Sequence, residues 1–538
     1  MFGHARNPAD ARPDALDVAG VRAEVMARAG SALDEDAGTA PARRERIGVV
    51  ERALVLALVF IAVQAVLYFA LWWLSPDHRK NLVIYVPLTF ATFWFLFESS
   101  VYWLFLAGMK IPERRPAPDG LSVDVFTTAA PGEPVEMFER SLTALLDMRY
   151  PHRTYLLDGS GDPAIAELAE RLGVIRFDLM GVGGAKAGKV NHALECTSGE
   201  IVLVIDPDHE AAPDFLDRVL GHFEDERVGF VQVVQAYHNQ STSWVARAAA
   251  EQTYGFYGPI MMGMNRFGGP LAIGANCTFR RAALRSIGGH AVHLVEDFVT
   301  SLRLHAGGWK SVYVPEIVAR GLVPEDLRSY FSQQLKWATG MFQVLFRLMP
   351  RLFFRLPGWE RLRYLISSTY YLIGLAIAIN LFLPIIFLFT GIWAVEQPIQ
   401  GYVARLLPFV TMFLLIHLLS QRWMRHPAER GLQWRGMLLK LGTWPVYLLA
   451  LAYAVVGVKV PYLPTAKTRQ SGNFVGLVLP HLAVIALSLA GIAYALNSPL
   501  AQFDGTRLMI VFATINCMLM LPTVLAAVAE LRLARRRA

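Results

Sequence analysis

Residues 200–210 read EIVLVIDPDHE, a short apolar run that ends in two aspartates on either side of Pro207. A run of this length, bounded by a turn signal, is typical of a buried β-strand. Asp206 and Asp208 would then stand one residue apart on extended backbone, where both can face the same side. Two such carboxylates can share Mg²⁺ or Mn²⁺, whose shell a substrate phosphate completes. An isolated pair is more often a solvated turn, so its meaning depends on the surrounding chain.

Further strand-like runs lie on both sides of this stretch. They read LSVDVFTT (121–128), RTYLLD (153–158), GVIRFDL (173–179) and VGFVQVV (228–234). Because they alternate with amphipathic, helix-like segments, they predict a parallel α/β sheet of the Rossmann-like kind. Sheets of this kind bind ligands at the carboxyl ends of their strands, which is where the two aspartates are expected.

Long apolar runs flank the predicted α/β domain. The composition is 54% hydrophobic and 18% charged, which indicates that part of the chain lies in lipid. The predicted spans are 53–74, 82–107, 364–391, 402–420, 475–496 and 508–529. The run 437–458 is also apolar. If it crosses the membrane, the basic ends ARRER (42–46) and LRLARRRA (531–538) lie on opposite sides. If it lies in the interface, both ends are cytoplasmic, as the positive-inside rule prefers. We therefore expect six spans.

These features divide the chain into four predicted parts. They are a disordered cytoplasmic tail (1–49), two membrane helices (50–110), the α/β domain (111–345), and interfacial helices with four more membrane helices (346–538). The net charge of +7 comes without a basic stripe interleaved with aromatic residues, so no nucleic-acid partner is expected. The three cysteines lack metal or disulfide spacing, which favours a cytoplasmic domain.

Other polar residues occur at predicted strand ends and helix starts. Asp158 ends a strand before GSG, where a carboxylate can accept from a nucleotide base or ribose, or form an Asx turn. Lys186 lies in the glycine-rich stretch 181–190, whose amide and ammonium groups suit a diphosphate. Glu296 and Asp297 begin a predicted helix, where acids serve either as simple dipole partners or as a general base.

Two polar features lie close to, or inside, the apolar runs. SQQLKW (332–337) places amide and ammonium groups and a tryptophan just before the third predicted span. A polar helix that flanks a membrane, with an interfacial tryptophan, would look the same. Glu98 lies inside the second predicted span, where a charge is costly, so we expect it to line a polar path.

In their order along the chain, these motifs resemble the processive, membrane-embedded family 2 glycosyltransferases, most closely the cellulose synthase-like branch. The family signature D, DxD, [T]ED and Q(Q/R)xRW is matched by Asp158, Asp206-Pro207-Asp208, Val295-Glu296-Asp297 and Gln333-Gln334-Leu335-Lys336-Trp337. AKAGKVNHAL (185–194) resembles the KAGNLN segment, AIGANCTFRR (272–281) the strand near the acceptor, and PYLPTAKT (461–468) the gating loop. The resemblance covers nearly everything from about residue 50.

The resemblance implies a GT-A fold inserted between membrane helices. It also implies an inverting enzyme that polymerises a sugar from a UDP-sugar and moves the chain outward, with UDP-glucose and a β-glucan as the best guess. The resemblance implies that Asp297 is the base, that Glu296 orients its neighbours, and that Asp206 and Asp208 bind Mg²⁺ or Mn²⁺. The implied nucleotide-sugar ligands are Asp158, Lys186, Asp206, Gln333, Lys336, Thr465 and Lys467. The implied acceptor contacts are Trp337, Asn276 and Cys277.

This sequence departs from the family pattern at three positions. A single Asp158 replaces the usual pair, Val295 replaces threonine, and Lys336 replaces arginine, which gives up bidentate phosphate geometry. Hyaluronan-, chitin- or poly-N-acetylglucosamine-type synthases and non-processive lipid-linked sugar transferases remain as alternatives. The alternative from outside the enzymes is a transporter or receptor that only binds a nucleotide-sugar. The expected location is the inner (plasma) membrane, and the expected partners are the bilayer, a nascent polysaccharide and, as an open question, accessory export subunits.

Overall fold

The computed structural model describes residues 47–393, 399–424, 426–461 and 465–537. The predicted tail 1–49 lies almost wholly outside the described residues, and so does Tyr462 of the predicted gating loop. The predicted boundaries between the four parts of the chain stay predictions.

A seven-stranded sheet with the strand order β3-β2-β1-β4-β8-β6-β9 forms the centre of the α/β domain, and a small sheet with the order β5-β10-β7 lies beside it. The described strands are β1 Val123–Ala129, β2 Arg153–Asp158, β3 Ile175–Asp178, β4 Ile201–Val204, β5 Glu210–Ala211, β6 Val228–Val233, β7 Ala236–Tyr237, β8 Cys277–Arg280, β9 Lys310–Val314 and β10 Ala319–Gly321. All five strands predicted from the apolar runs are present.

The five predicted strands, β1–β4 and β6, run in one direction as expected, but the whole sheet is mixed. β1, β2, β3 and β4 are parallel, and so are β6 and β9, but β8 runs antiparallel to both of its neighbours. The reason is the place where the chain re-enters the sheet. Gln232, near the end of β6, pairs with Cys277 at the start of β8. The chain therefore re-enters the sheet beside the carboxyl end of β6, which it has just left. A parallel β8 would need a connection that first crosses to the amino end of β6. Because residues 234–276 do not make this crossing, β8 runs antiparallel and the sheet is mixed.

Helices cover the sheet and precede it. They are α1 Val49–Trp73, α2 Leu82–Ala107, α3 Val135–Leu146, α4 Pro163–Leu172, α5 Ala185–Cys196, α6 Phe215–Val219, α7 Trp244–Gly255, α8 Met261–Met264, α9 Arg281–Ser286 and α10 Glu296–Ala306. β1 is buried along its whole length, as expected for a strand covered on both faces. α3 is amphipathic and buries a stripe that includes Phe138, Leu142 and Leu145 against the sheet core.

The chain after the sheet is helical. Its helices are α11 Leu327–Gln343, α12 Met349–Leu352, α13 Gly358–Thr369, α14 Ile373–Thr390, α15 Ile399–Ser420, α16 Trp434–Gly442, α17 Trp444–Val456, α18 Leu479–Leu496 and α19 Asp504–Arg537. Many large apolar side chains on these helices are exposed, for example Leu407 and Met518, which suits faces in contact with lipid tails.

Six helical stretches among the described residues are long and apolar enough to cross a membrane, in agreement with the predicted number of spans. They are Val49–Trp73, Leu82–Ala107, Gly358–Thr390, Gln400–Trp423, Val475–Leu496 and Gly505–Arg536. The ambiguous run 437–458 forms the pair α16 and α17, bent by 46°, which would raise the number to seven if the pair were one span. The chain is a multi-pass membrane protein by this measure, and the interfacial placement of the bent pair stays a prediction.

Candidate active site

The carboxyl edge of the sheet brings the two aspartates of DPD together, as predicted. β4 ends at Val204, and the chain then turns through Asp206 and Asp208, with His209 directly after them. One ligand atom from each of these three side chains lies within 4.8 Å of the others. Carboxylate oxygens are ordinary ligands of Mg²⁺ and Mn²⁺, whereas an imidazole nitrogen suits transition metals and is a poor ligand of Mg²⁺. The donor set therefore fits a divalent cation.

Two lysines neutralise these acids. Lys186, at the start of α5, places its Nζ 2.5 Å from Asp206 Oδ1 and donates to the carbonyl oxygen of Gly274 at 2.6 Å. Lys467 Nζ lies 3.0 Å from Asp208 Oδ1. Burial alone would lower the pKa of both lysines, but the neighbouring carboxylates outweigh burial and raise it. Both lysines are therefore charged, and the site attracts and holds positive charge at the two aspartates.

The acids Glu296 and Asp297 form the first turn of α10, beside Lys186. His290 Nε2 lies 3.4 Å from Asp297 Oδ1. Gly274 has φ +93°, and a Cβ at this position would fall 2.4 Å from Asp297 Oδ2, so the backbone approaches the carboxylate as only glycine allows. The sequence alone marked neither His290 nor this close approach.

The two neighbouring acids have opposite pKa shifts. Burial, and then the charge of Asp297, raise the pKa of Glu296 to about 8. Burial also opposes ionisation of Asp297, but the charge of Lys186 and the close contact with His290 outweigh it and lower the pKa of Asp297. At neutral pH, Glu296 is therefore mainly protonated and Asp297 is ionised. Only the ionised carboxylate can accept a proton, so these shifts agree with the role of base that the family resemblance implies for Asp297.

The polar motif SQQLKW lies on α11. The side chain of Asp326 caps this helix by accepting from the backbone N–H of Ser329 at 2.8 Å. Gln333, Lys336 and Trp337 all line the same cavity as the acids. Burial lowers the pKa of Lys336, although the nearby Glu296 opposes this shift. The motif therefore faces the acids from the membrane side of the site.

Residues 465–470, which we call the closing segment, lie over the acids. Besides the contact of Lys467 with Asp208, Thr465 Oγ1 accepts from Gln333 Nε2 at 3.2 Å. Two contacts anchor the far end of the segment. Arg469 Nη2 lies 2.8 Å from Glu530 Oε1 on α19, and the N–H of Gln470 donates to Asp326 at 3.0 Å. Thr465 and Lys467 therefore lie close to the acids, as expected.

Asp158, which the sequence linked to the nucleotide, is fully buried at the end of β2 and does not line the cavity. Arg176 Nε lies 2.7 Å from its Oδ2, and the N–H of Ser160 donates to its Oδ1 at 2.8 Å. Burial opposes ionisation, but these hydrogen bonds outweigh it and lower the pKa of Asp158. The hydrogen bond from the Ser160 N–H to Asp158 forms an Asx turn, which the sequence allowed as the alternative to a nucleotide contact. Arg176 was not recognised in the sequence.

Asn276 and Cys277 were expected to contact an acceptor, but the structure buries both side chains. Asn276 is 0% and Cys277 1% exposed, and neither lines the cavity. Cys277 pairs with Val204 at the centre of the sheet, and burial raises the pKa of its thiol. The geometry therefore gives no support to a direct acceptor contact from these two residues, and that role stays a prediction.

The cavity that joins these groups has a volume of about 1230 Å³. Its wall includes Asp206, Asp208, Glu296, Asp297 and Trp337 and, among the membrane helices, Glu98, Tyr370 and Lys440. The acids and the space among the membrane helices therefore belong to one continuous cavity.

Residues 201–463 match the family described as glycosyl transferase family group 2. A cellulose synthase catalytic subunit [UDP-forming] from Komagataeibacter sucrofermentans is 30% identical over 312 residues, covering 54% of this chain and 41% of that protein. The subunit of the same name from Pseudomonas fluorescens is 25% identical over 480 residues, covering 83% of this chain and 62% of that protein. The chain thus spans less than two thirds of the length of these relatives.

Among solved structures, a mannosyltransferase from Pyrobaculum calidifontis aligns over 81% of this chain and 98% of its own, with 17% identity and a TM-score of 0.38. The matched residues, just under half of the chain, include DPD, the pair Glu296 and Asp297, and SQQLKW, and they are similar to family 2 glycosyltransferases. The chain is homologous to bacterial cellulose synthase catalytic subunits.

Proposed function

We propose that the protein is an inverting, processive β-glycosyltransferase that polymerises a sugar from a UDP-sugar and moves the product across the membrane. UDP-glucose and a β-glucan are the first choice, because the relatives are named as UDP-forming cellulose synthases. The observation that carries the proposal is the single cavity that joins the acids Asp206, Asp208 and Asp297 to Trp337 and the membrane helices.

Asp206 and Asp208 would hold Mg²⁺ or Mn²⁺, and His209 offers a third ligand atom. The metal would supply positive charge to the leaving diphosphate. Lys186, Gln333 and Lys336 face the same space from α5 and α11 and would bind the remaining phosphate oxygens. Thr465 and Lys467 would complete this shell from the closing segment.

Asp297 would act as the general base. The acceptor hydroxyl oxygen attacks the anomeric carbon, the bond from that carbon to the UDP oxygen breaks with inversion, and the hydroxyl proton passes to the carboxylate of Asp297. Trp337 would offer its ring face to the acceptor sugar. Glu296, kept mainly neutral, would orient the neighbouring groups without adding a second negative charge. Asp158 and its partner Arg176 do not line this cavity, so the cavity gives no support to the expected role of Asp158 at the uridine end of the donor.

The proposal includes a location and an orientation. The protein would lie in the plasma membrane with the α/β domain in the cytoplasm, where UDP-sugars are made, and the product would leave on the other side. This orientation rests on the topology predicted from the basic ends of the chain. Accessory export subunits would act after this step.

The test uses the purified full chain in lipid nanodiscs with Mg²⁺ or Mn²⁺ and a panel of UDP-sugars. We expect UDP release together with polymer formation, most strongly with UDP-glucose, and linkage analysis identifies the product. Polymer made only from UDP-N-acetylglucosamine, with or without UDP-glucuronate, would favour the chitin-, poly-N-acetylglucosamine- or hyaluronan-type alternatives. Saturable UDP-sugar binding without UDP release under any of these conditions would contradict an enzyme and favour a binding protein.

A further inference from the structure

A charge pair lies in the cavity wall at the level of the membrane helices, away from the acids already assigned. Lys440 Nζ on α16 lies 3.9 Å from Glu98 Oε2 on α2, and 4.5 Å from the centre of the Tyr370 ring. The two charged side chains are 25% and 23% exposed, and all three residues line the cavity. The pair is therefore in contact with the cavity and is not sealed between the helices.

Two charges in an apolar helix bundle are costly, and a pair of this kind is typically retained where it lines a polar path. Aromatic side chains line the same cavity, among them Trp94, Tyr371 and Trp434. Aromatic faces with a few well-placed polar groups are the usual lining of a site for an amphipathic ligand. A sugar ring has apolar C–H faces for such rings and hydroxyls for the carboxylate and the ammonium.

From this geometry, and resting on the proposed function, we propose that Glu98, Lys440 and Tyr370 form a subsite that holds an uncharged sugar of the outgoing product chain. Hydroxyls can bind both charged groups while the pair stays intact. A uronate would instead compete with Glu98 for Lys440 and leave one carboxylate unpaired, and an amino sugar would do the reverse. Leaving one partner of such a pair alone is strongly unfavourable. The subsite therefore selects a glucan or an N-acetylated polymer over a uronate-containing one.

The experiment measures product chain length, because a chain that is held poorly dissociates early. The variants are Glu98→Gln and Lys440→Met, each in nanodiscs with the UDP-sugar that supports synthesis by the wild type. Loss of one charge-assisted hydrogen bond weakens binding by about tenfold, so we expect chains about tenfold shorter. Glu113→Gln and Lys459→Met remove exposed charges outside the cavity and should leave chain length unchanged.

The reversed pair Glu98→Lys with Lys440→Glu should recover most of the wild-type length, because it restores both charges. Wild-type length in either single variant, or a reversed pair that is folded but as short as the singles, would overturn the subsite. Size-exclusion chromatography identifies variants that do not fold. In that case Glu98→Asp and Lys440→Arg, which keep the charges but change their reach, must give shorter chains, and wild-type length in both overturns the subsite. If the wild type makes no polymer, the proposed function itself has failed.

Discussion

Asp297→Asn is the sharpest test of the proposed mechanism, because it removes one proton acceptor and little else. Asparagine has nearly the same shape, so it fits against Gly274, where the backbone leaves no room for a larger group. Lys186 keeps its contacts with Asp206 and with the carbonyl of Gly274 in the variant. The groups assigned to the diphosphate therefore stay in place, and UDP-sugar affinity should change by no more than a few fold.

The expected loss in rate follows from the environment of Asp297. General-base assistance contributes about 10²- to 10⁴-fold, and most when the pKa of the base lies near the working pH. Lys186 and His290 outweigh burial and lower the pKa of Asp297, so it is ionised at neutral pH but a weak base. We therefore expect kcat to fall by about 10²- to 10³-fold, toward the lower end of that range.

The assay follows UDP release at saturating UDP-sugar and, separately, UDP binding by calorimetry. Asp297 acts only when ionised, and its pKa is lowered, so the wild-type rate should hold through neutral pH and decline only on the acid side of the usual aspartate range. The pH–rate profile of Asp297→Asn should lack this decline at acid pH. Wild-type kcat in Asp297→Asn, with folding and UDP binding intact, would refute the assignment.

Glu296→Gln is the matched control, since glutamine imitates the protonated acid. The pKa of Glu296 is raised to about 8 by burial and by Asp297, so at neutral pH the substitution changes little charge. The variant should keep kcat within a few fold of the wild type there. Above that pKa the wild type gains a second negative charge beside Asp297, and the variant should not show the resulting change in rate. A dead Glu296→Gln with an active Asp297→Asn would reverse the two roles.

Three further outcomes are expected. Asp208→Asn should abolish turnover in a folded protein, and excess chelator should do the same to the wild type; full activity in chelator would reject the metal. Combined Thr465→Ala and Lys467→Ala replacement should weaken UDP inhibition by about tenfold or more and slow synthesis, since it removes a charged contact; wild-type values would make the segment a linker. Reporter fusions after Val458 and at the C-terminus should both report cytoplasm, and an outside signal at the C-terminus would refute the six-span topology.

The strands and the DPD turn were predictable because their signals are local. Apolar runs of four to eight residues between turns predicted five strands correctly, and the carboxyl end of β4 follows directly from its sequence. The direction of β8 was not predictable from such a pattern. A strand of four residues, CTFR, has the same period whichever way it runs, and its direction depends on where the preceding loop re-enters the sheet.

The supporting residues of the candidate site were harder to predict for the same physical reason. His290, Arg176 and His209 carry no spacing or composition signal, and their roles come from contacts formed only in the folded chain. The opposite pKa shifts of Glu296 and Asp297 are a tertiary effect too, since Lys186 comes from a helix that lies far away in sequence. The sequence could therefore predict which acids meet, but not how their charges are balanced.

The charge balance also bears on how a cation would bind at the site. Lys467 Nζ lies 3.0 Å from Asp208 Oδ1, so a divalent cation at Asp208 would compete with this lysine for the carboxylate. The contacts of Arg469 with Glu530 and of Gln470 with Asp326 involve neither aspartate of DPD, so among these contacts of the closing segment a cation there would compete with the Lys467 contact alone.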